Sequence, residues 1–303
     1  MTRFAVAGAG GVGGLVAALL GHAGHEVAVL ARGRTLDALR ARGLLLRRPS
    51  RELHVTVRAS DRAEELGVVD VVLVAVKAWQ VAELAPRLSS LLQPTTVVIP
   101  LQNGLDAADL LGAALGAEHV VSGLCHMISW VEEPGVIRDG GPPPAITLGA
   151  NAELAAMLTA AGLATRVVAD LDSALWEKLL FLAPFATVGA VARQPVGVVR
   201  ANPTLRGWLR EAMQEIEALA RLRKVALSDD VVERALGRVD ALPAEATASL
   251  QRDVLAGRPS ELHELTGAIL RRAQESLVAV PRNTALFEAL VPLERAARAH
   301  STG

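Results

Sequence analysis

Gly8-Ala9-Gly10-Gly11-Val12-Gly13 has the spacing G-x-G-x-x-G. It follows the apolar run RFAVA and leads into a stretch of helical spacing, the context in which such a loop takes a dinucleotide. The first glycine permits a tight turn and the second lets backbone approach a pyrophosphate. The third lets helix pack on strand, and the helix N-terminus supplies positive potential. Gly8, Gly10, Gly11, Val12 and Gly13 are therefore candidate cofactor residues. The tip of the next strand selects the cofactor. An acid about 20 positions on would bind a free ribose 2′-hydroxyl. Here the run is EVAVLARGR, with Arg32 at that position and Arg34 beside it. A guanidinium is the partner of a 2′-phosphate, so NADP(H) is the expected cofactor. The alternative for Arg32 is a solvated loop arginine.

Of the 31 lysines and arginines, the only lysines are Lys77, Lys178 and Lys224. Arginine carries the surface charge, which singles out each lysine as a cation that can also release a proton. Lys77 directly follows the run DVVLVAV, and Gln102-Asn103-Gly104 follows TVVIP in the same way. In a doubly wound sheet, ligands bind at the carboxyl ends of the strands, so these two polar positions point to one crevice. Their plain alternative is a helix cap or a loop.

These residues need elements to position them. Arg3–Ala7, Glu26–Ala31, His54–Val57, Asp70–Val76 and Thr96–Pro100 read as strands. Gly11–Ala23, Thr35–Arg42 and Gln80–Leu92 between them read as helices. That order predicts a parallel sheet covered on both faces. Pro134-Gly135 and the run Gly140–Pro144 are turn chemistry and suggest a hairpin closing the sheet edge. Past Ala169 the strand signals stop. Asp172–Val191, Pro203–Val225, Asp229–Val239 and Pro259–Gln274 carry helical spacing, and the tail RAARAHSTG is expected to fray. The expected fold is α/β: an N-terminal Rossmann-type doubly wound sheet, residues 1–168, followed by an all-helical C-terminal domain, residues 169–303.

Composition excludes other classes. With 303 residues, 51% hydrophobic and 21% charged, the chain is not intrinsically disordered. A net charge of −1 leaves no basic excess for nucleic acid. Cys125 is the single cysteine, which fits a reducing, cytoplasmic location. No uninterrupted apolar run reaches the roughly 18 residues of a membrane span, and the N-terminus lacks a signal-peptide pattern. The histidines and Cys125 show no metal-ligand spacing.

The glycine loop, the VKA at Lys77, the LQNG at Asn103, Trp176-Glu177-Lys178-Leu179, the stretch from Ser249-Leu250-Gln251-Arg252-Asp253 to Gly257-Arg258-Pro259-Ser260-Glu261, and Pro281-Arg282-Asn283 occur in this order. Together they resemble the ketopantoate reductase (2-dehydropantoate 2-reductase) family over nearly the whole chain. The resemblance implies hydride transfer from NADPH to the C2 carbonyl of a small-molecule 2-oxo acid, as in pantothenate precursor synthesis. It makes Lys178 the donor of the proton to the developing alkoxide. It makes Glu261 the substrate-side glutamate and Ser249 a substrate-pocket serine. Asn103 becomes the asparagine near nicotinamide and substrate, and Lys77 a lysine of the cofactor and substrate cleft; Lys77, Asn103 and Glu261 thus join the cofactor residues. An ammonium can stabilise and protonate an alkoxide without any appeal to the family. The alternatives are a surface cation paired with Glu177 or Asp172 for Lys178, and a first-turn helix acid for Glu261.

The sequence departs from the family at two positions. Where family members carry asparagines four and eight residues after the lysine, this chain has Leu182 and Ala186. Spacing of four puts all three on one helix face, so the pocket is expected to favour an apolar group there. Two further readings follow: a paralogue reducing a more apolar ketone or an imine in secondary metabolism, and a non-catalytic NADP(H)-binding sensor. His126, at the end of an apolar run, is a crevice candidate or a core or edge residue. The apolar helical domain also suggests a homodimer.

Overall fold

The computed structural model describes residues 1–301. By contacts the chain forms two compact units, one of Met1–Gln102 with Asp106–Leu171 and one of Asn103–Leu105 with the chain from Asp172 onward.

The first unit runs β1 (Arg3–Ala7), α1 (Gly11–His22), β2 (Glu26–Leu30), α2 (Gly33–Arg42), β3 (Leu44–Arg47), β4 (Glu52–Val55), β5 (Arg58–Ser60), β6 (Val71–Val74), α3 (Val81–Leu84), β7 (Val97–Pro100) and α4 (Ala107–Leu115). It continues with β8 (Gly123–His126), β9 (Ser129–Glu133), β10 (Val136–Asp139), β11 (Ala145–Leu148), α5 (Ala152–Ala160) and β12 (Ala164–Val167). The main sheet is parallel in the order β5-β2-β1-β6-β7. Alternation along β1 explains its two covered faces. Phe4 and Val6 join the apolar cluster that holds Leu15, Leu19 and Leu20 of α1. Ala5 and Ala7 join the opposite cluster with Leu84, Leu88 and Leu91. Truncating any of these buried leucines to alanine costs about 2–5 kcal/mol.

The hairpin at Pro134-Gly135 exists as β9–β10, but it does not close the parallel sheet. It belongs to a separate sheet in the order β4-β3-β10-β9. The pattern at Leu44–Arg47 supplies the reason. Leu44 and Leu46, with Leu53, Val55 and Ile137, bury one apolar face in the α1 cluster, and β3 offers β10 a parallel edge. A third sheet has the order β12-β11-β8. The Gln80–Leu92 stretch is mostly 3-10, over Ala78–Gln80 and Ala85–Leu91, around the short α3. Pro86 within it lacks the amide an α-helix would need.

The second unit is helical: α6 (Leu171–Ala192), α7 (Val196–Ala201), α8 (Pro203–Leu222), α9 (Val231–Ala241), α10 (Ser249–Leu255), α11 (Thr266–Glu275) and α12 (Pro281–Ser301). Asn202 starts α8 by accepting from the amides of Thr204 and Leu205 at 2.9 and 3.1 Å, with Pro203 in the first turn. Leu209, Ala212, Met213, Ile216 and Leu219 then line its buried face. Glu215 accepts from the backbone amides of Arg282 and Asn283, at 2.6 and 2.9 Å, and from Asn283 Nδ2 at 2.8 Å. The Pro-Arg-Asn run thereby pins the start of α12 to α8. The expected frayed tail is helical as far as the described residues go, since α12 continues through Arg295–His300; residues 302 and 303 lie outside them. By length and composition α6 is apolar enough to cross a membrane, yet 61% of that window is buried in the fold, as in the core helix of a globular unit.

Candidate active site

In the first unit the chemistry-bearing residues gather at the carboxyl ends of the parallel strands. The glycine loop leaves β1 and the Lys77 loop leaves its neighbour β6, where the strand order reverses. Gly8 has φ +104°, and a Cβ there would lie 2.9 Å from both Val76 N and Val76 Cγ1. A Cβ on Gly13 would sit 1.9 Å from Gly8 O, so helix and strand close to backbone contact. Gly10 faces open space, with nothing within 4 Å of a Cβ. Gly11 serves packing, because a Cβ there would meet Ser129 O of β9 at 2.4 Å. Val12 is partly buried against the apolar cluster. This cradle fits a dinucleotide: two glycines fold the loop tightly and the third leaves the approach to the helix N-terminus clear.

Arg32 precedes α2 in extended conformation, exposed like Arg34. Its side chain has no hydrogen bond or ion pair among the described residues, so it is available to an anion. Lys77 is half-buried; its amide donates to Gln80 Oε1 at 3.2 Å and its Nζ lies 5.6 Å from the Trp79 ring centroid. Gln102 is structural. Its Nε2 donates to Val74 O and Val76 O at 2.8 and 3.0 Å, which ties the exits of β6 and β7 together. His126 ends β8, an edge strand of its sheet, and is exposed; of the two plain alternatives it is an edge residue, not a core one.

The second unit holds the other candidates. Asn103 Nδ2 donates to Glu261 Oε2 at 2.9 Å, joining residues 158 positions apart. Glu261 is only 6% exposed. It does not sit in the first turn of a helix, as the Pro259–Gln274 pattern implied, because α11 begins at Thr266. The segment before it is held otherwise. Ser260 donates its amide and its Oγ to Glu294 Oε2 at 3.0 and 2.5 Å, and Arg298 Nη2 donates to Ser260 O at 3.2 Å. Gly104, at φ +95°, passes so close to Glu264 that a Cβ would be 2.6 Å from its carbonyl oxygen.

Lys178 lies half-buried on α6. Glu177 is occupied by Arg234 and Arg238 of α9, at 3.3 and 3.7 Å, so it is not reserved for Lys178. Leu182 packs against the helical core, and Ala186 is fully buried in it. Ser249 opens α10, half-buried. Burial pushes the Glu264 carboxyl above its ordinary range, Arg298 opposes this, and Glu261 and Glu294 add to it.

Sequence reasoning missed Ser260, Glu264, Glu294 and Arg298. Glu294 had a readable signal: it stands on the stripe Leu286, Leu290, Glu294, Ala297, all at most 5% exposed, and a carboxylate in an apolar stripe needs a partner. No group of acidic, histidine and cysteine side chains suited to a metal occurs among the described residues.

Two family models cover most of the chain: ketopantoate reductase PanE/ApbA matches residues 4–153, and its C-terminal model matches residues 170–294. The chain belongs to the ketopantoate reductase family. It is 30% identical to a 2-dehydropantoate 2-reductase of Mesorhizobium japonicum, over 97% of both chains. It is 33% identical to one from Halobacterium salinarum, over 92% of this chain and 94% of that one. A crystal structure of a PanE/ApbA family ketopantoate reductase from Ralstonia eutropha superposes with TM-score 0.92 at 29% identity, covering 98% of this chain and 99% of that one. Family membership makes the chain an oxidoreductase acting on a small molecule, with the Rossmann-type and helical parts expected from the sequence.

Proposed function

We propose that the protein reduces a 2-oxo acid to a 2-hydroxy acid with NADPH, ketopantoate to pantoate being the reaction its relatives are named for. The first unit is the NADP-binding part and the helical unit the catalytic and substrate part. When bound, the cofactor supplies hydride to the substrate carbonyl carbon. Gly8, Gly10 and Gly13 admit the pyrophosphate, and the exposed Arg32 guanidinium pairs with the 2′-phosphate. Lys77 adds positive charge at the same strand ends. The Lys178 ammonium stabilises the alkoxide at C2 and gives it a proton. Glu261 accepts from a substrate hydroxyl, and Asn103 holds its carboxylate in place. Ser249 completes the polar lining. The observation that supports this reading most is the partly buried Asn103–Glu261 hydrogen bond, which pairs two motifs of the family that sit far apart in the chain.

A second reading, a paralogue taking a more apolar ketone or imine, draws on Leu182 and on the wholly buried Ala186. Ala186 has no room to be replaced by an amide without repacking. One assay separates these readings from a non-catalytic sensor: NADPH oxidation with ketopantoate beside a panel of linear, branched and aromatic 2-oxo acids. Ketopantoate as the best substrate supports the first reading. An aromatic or branched acid preferred at least tenfold supports the second, and no turnover of these acids or of apolar ketones and imines added to the panel would leave the sensor. A cytoplasmic location and a homodimer go with the enzyme readings, and sedimentation of the full chain tests the dimer.

A further inference from the structure

Glu261 is held at its carboxylate by Asn103, but something must also fix the backbone from which it projects. That backbone lies ahead of α11, where the Glu261 carbonyl accepts one turn bond from the Leu265 amide at 2.9 Å and the amide side needs another anchor. An ion pair with a buried carboxylate and a partly exposed guanidinium holds the backbone from that side. Glu294 is 1% exposed and Ser260 is wholly buried. Glu294 accepts from the Ser260 amide with both oxygens, at 3.0 and 3.2 Å, and from Ser260 Oγ at 2.5 Å. Arg298 Nε donates to the other Glu294 oxygen at 2.6 Å, and Arg298 Nη2 reaches round to the Ser260 carbonyl at 3.2 Å. That carbonyl belongs to the peptide bond joining Ser260 to Glu261. One carboxylate and one guanidinium, four residues apart on α12, thus grip the backbone on both sides of Ser260.

We infer that the Glu294–Arg298 pair, acting through Ser260, is a positioning device that sets the Glu261 carboxylate for substrate. A carboxylate buried this deeply is a poor choice for stability alone, since its desolvation offsets much of what the partly exposed Arg298 returns. What it supplies here is direction. Charge-assisted bonds are short and angular, and these are spent on the residue next to Glu261. Neither Glu294 nor Arg298 needs to touch substrate for this.

The inference rests on the role of Glu261 proposed above, and a double-mutant cycle tests the two separately. Ser260→Ala removes only the Oγ bond and leaves the amide in place, so it is the variant expected to fold. Glu261→Gln and the double variant complete the cycle; Glu294→Gln is a harsher companion, judged only if its melting curve stays cooperative. The readouts are kcat and KM for the 2-oxo acid that turns over best, NADPH affinity by fluorescence titration, and Tm. We expect Ser260→Ala to lower kcat/KM about 5–20-fold with NADPH affinity unchanged within twofold. In the Glu261→Gln background the same change should cost less than twofold, because the carboxylate it positions is gone. Equal losses in both backgrounds, or a loss matched by a fall in NADPH affinity, would overturn the inference and leave a stabilising contact. If Glu261→Gln itself leaves kcat/KM unchanged, the assignment of Glu261 fails first and the positioning role falls with it.

Discussion

The glycine loop and the Glu261 cluster solve the same problem, holding a ligand-facing group rigid, in opposite ways. The loop does it within six consecutive residues. Gly8 and Gly13 lack a Cβ because backbone atoms occupy that space at 2.9 and 1.9 Å. The Glu261 cluster does it with Asn103, Ser260, Glu294 and Arg298, drawn from a strand exit, a loop and the last helix. The first is backbone geometry and leaves a motif. The second is charge and hydrogen bonding between distant residues. A cofactor common to many substrates suits a fixed local cradle, whereas a substrate-facing cluster built from several elements can change one member at a time.

The sharpest test of this contrast is Lys178→Ala. It should lower kcat by about 10²–10⁴-fold while NADPH binding stays intact, because proton donation and alkoxide stabilisation act in the transition state. Lys178→Arg should restore little, since arginine holds its proton. Titration of NADPH beside steady-state rates checks both halves, and near-native kcat in a variant whose hydride step is rate-limiting would move the acid elsewhere. Arg32→Ala should do the reverse. Losing a charge-assisted bond of about 1.5–3 kcal/mol should weaken NADPH roughly 10–100-fold and leave NADH nearly unchanged. Equal losses for both cofactors would remove the 2′-phosphate assignment.

The same contrast explains what could be read from the sequence. The parallel strands were legible because four of them, β1, β2, β6 and β7, are apolar runs ending in glycine or polar residues. β3 was not, because the four residues Leu44–Arg47 are too short to show a period of their own and take their place by pairing with β4 and β10. The hairpin was legible but its sheet was not, since turn residues specify a connection and not the edge it joins. In the site, Lys178, Asn103 and Glu261 came from motifs. Ser260 and Glu294 are 34 residues apart and no local period links them.

A smaller effect should follow from the apolar α6 face. Leu182→Asn replaces a partly buried leucine with a group that can both donate and accept. If that face meets a polar substrate group, ketopantoate kcat/KM should rise up to about tenfold, and any preference for apolar 2-oxo acids should fall. Ala186→Asn is the poorer probe, because its site is filled and overpacking costs about 1–3 kcal/mol. A ketopantoate rate unmoved by Leu182→Asn, in a protein of unchanged Tm, would show that this side chain does not shape the pocket.

The smallest expected effect comes from Glu264, one turn of chain beyond Glu261, and it reads the electrostatic cost of the cluster. Burial raises the Glu264 carboxyl above its ordinary range, with Arg298 opposing and Glu261 and Glu294 reinforcing, and one of its oxygens is buried without a hydrogen bond. The folded state therefore keeps this proton to higher pH than the unfolded chain does. The stability this provides is complete below the unfolded value of about 4.3 and is lost as pH rises through the higher folded value. Glu264→Gln is neutral throughout and escapes that loss. Its stability relative to the parent should be level or slightly lower near pH 4 and should climb as pH rises until it levels off above the folded Glu264 value, as read by denaturant unfolding of both proteins across the pH range. A difference that stays constant with pH would mean that Glu264 titrates alike in both states. The cluster would then hold Glu261 without straining its neighbour, and the contrast with the uncharged glycine loop would rest on geometry alone.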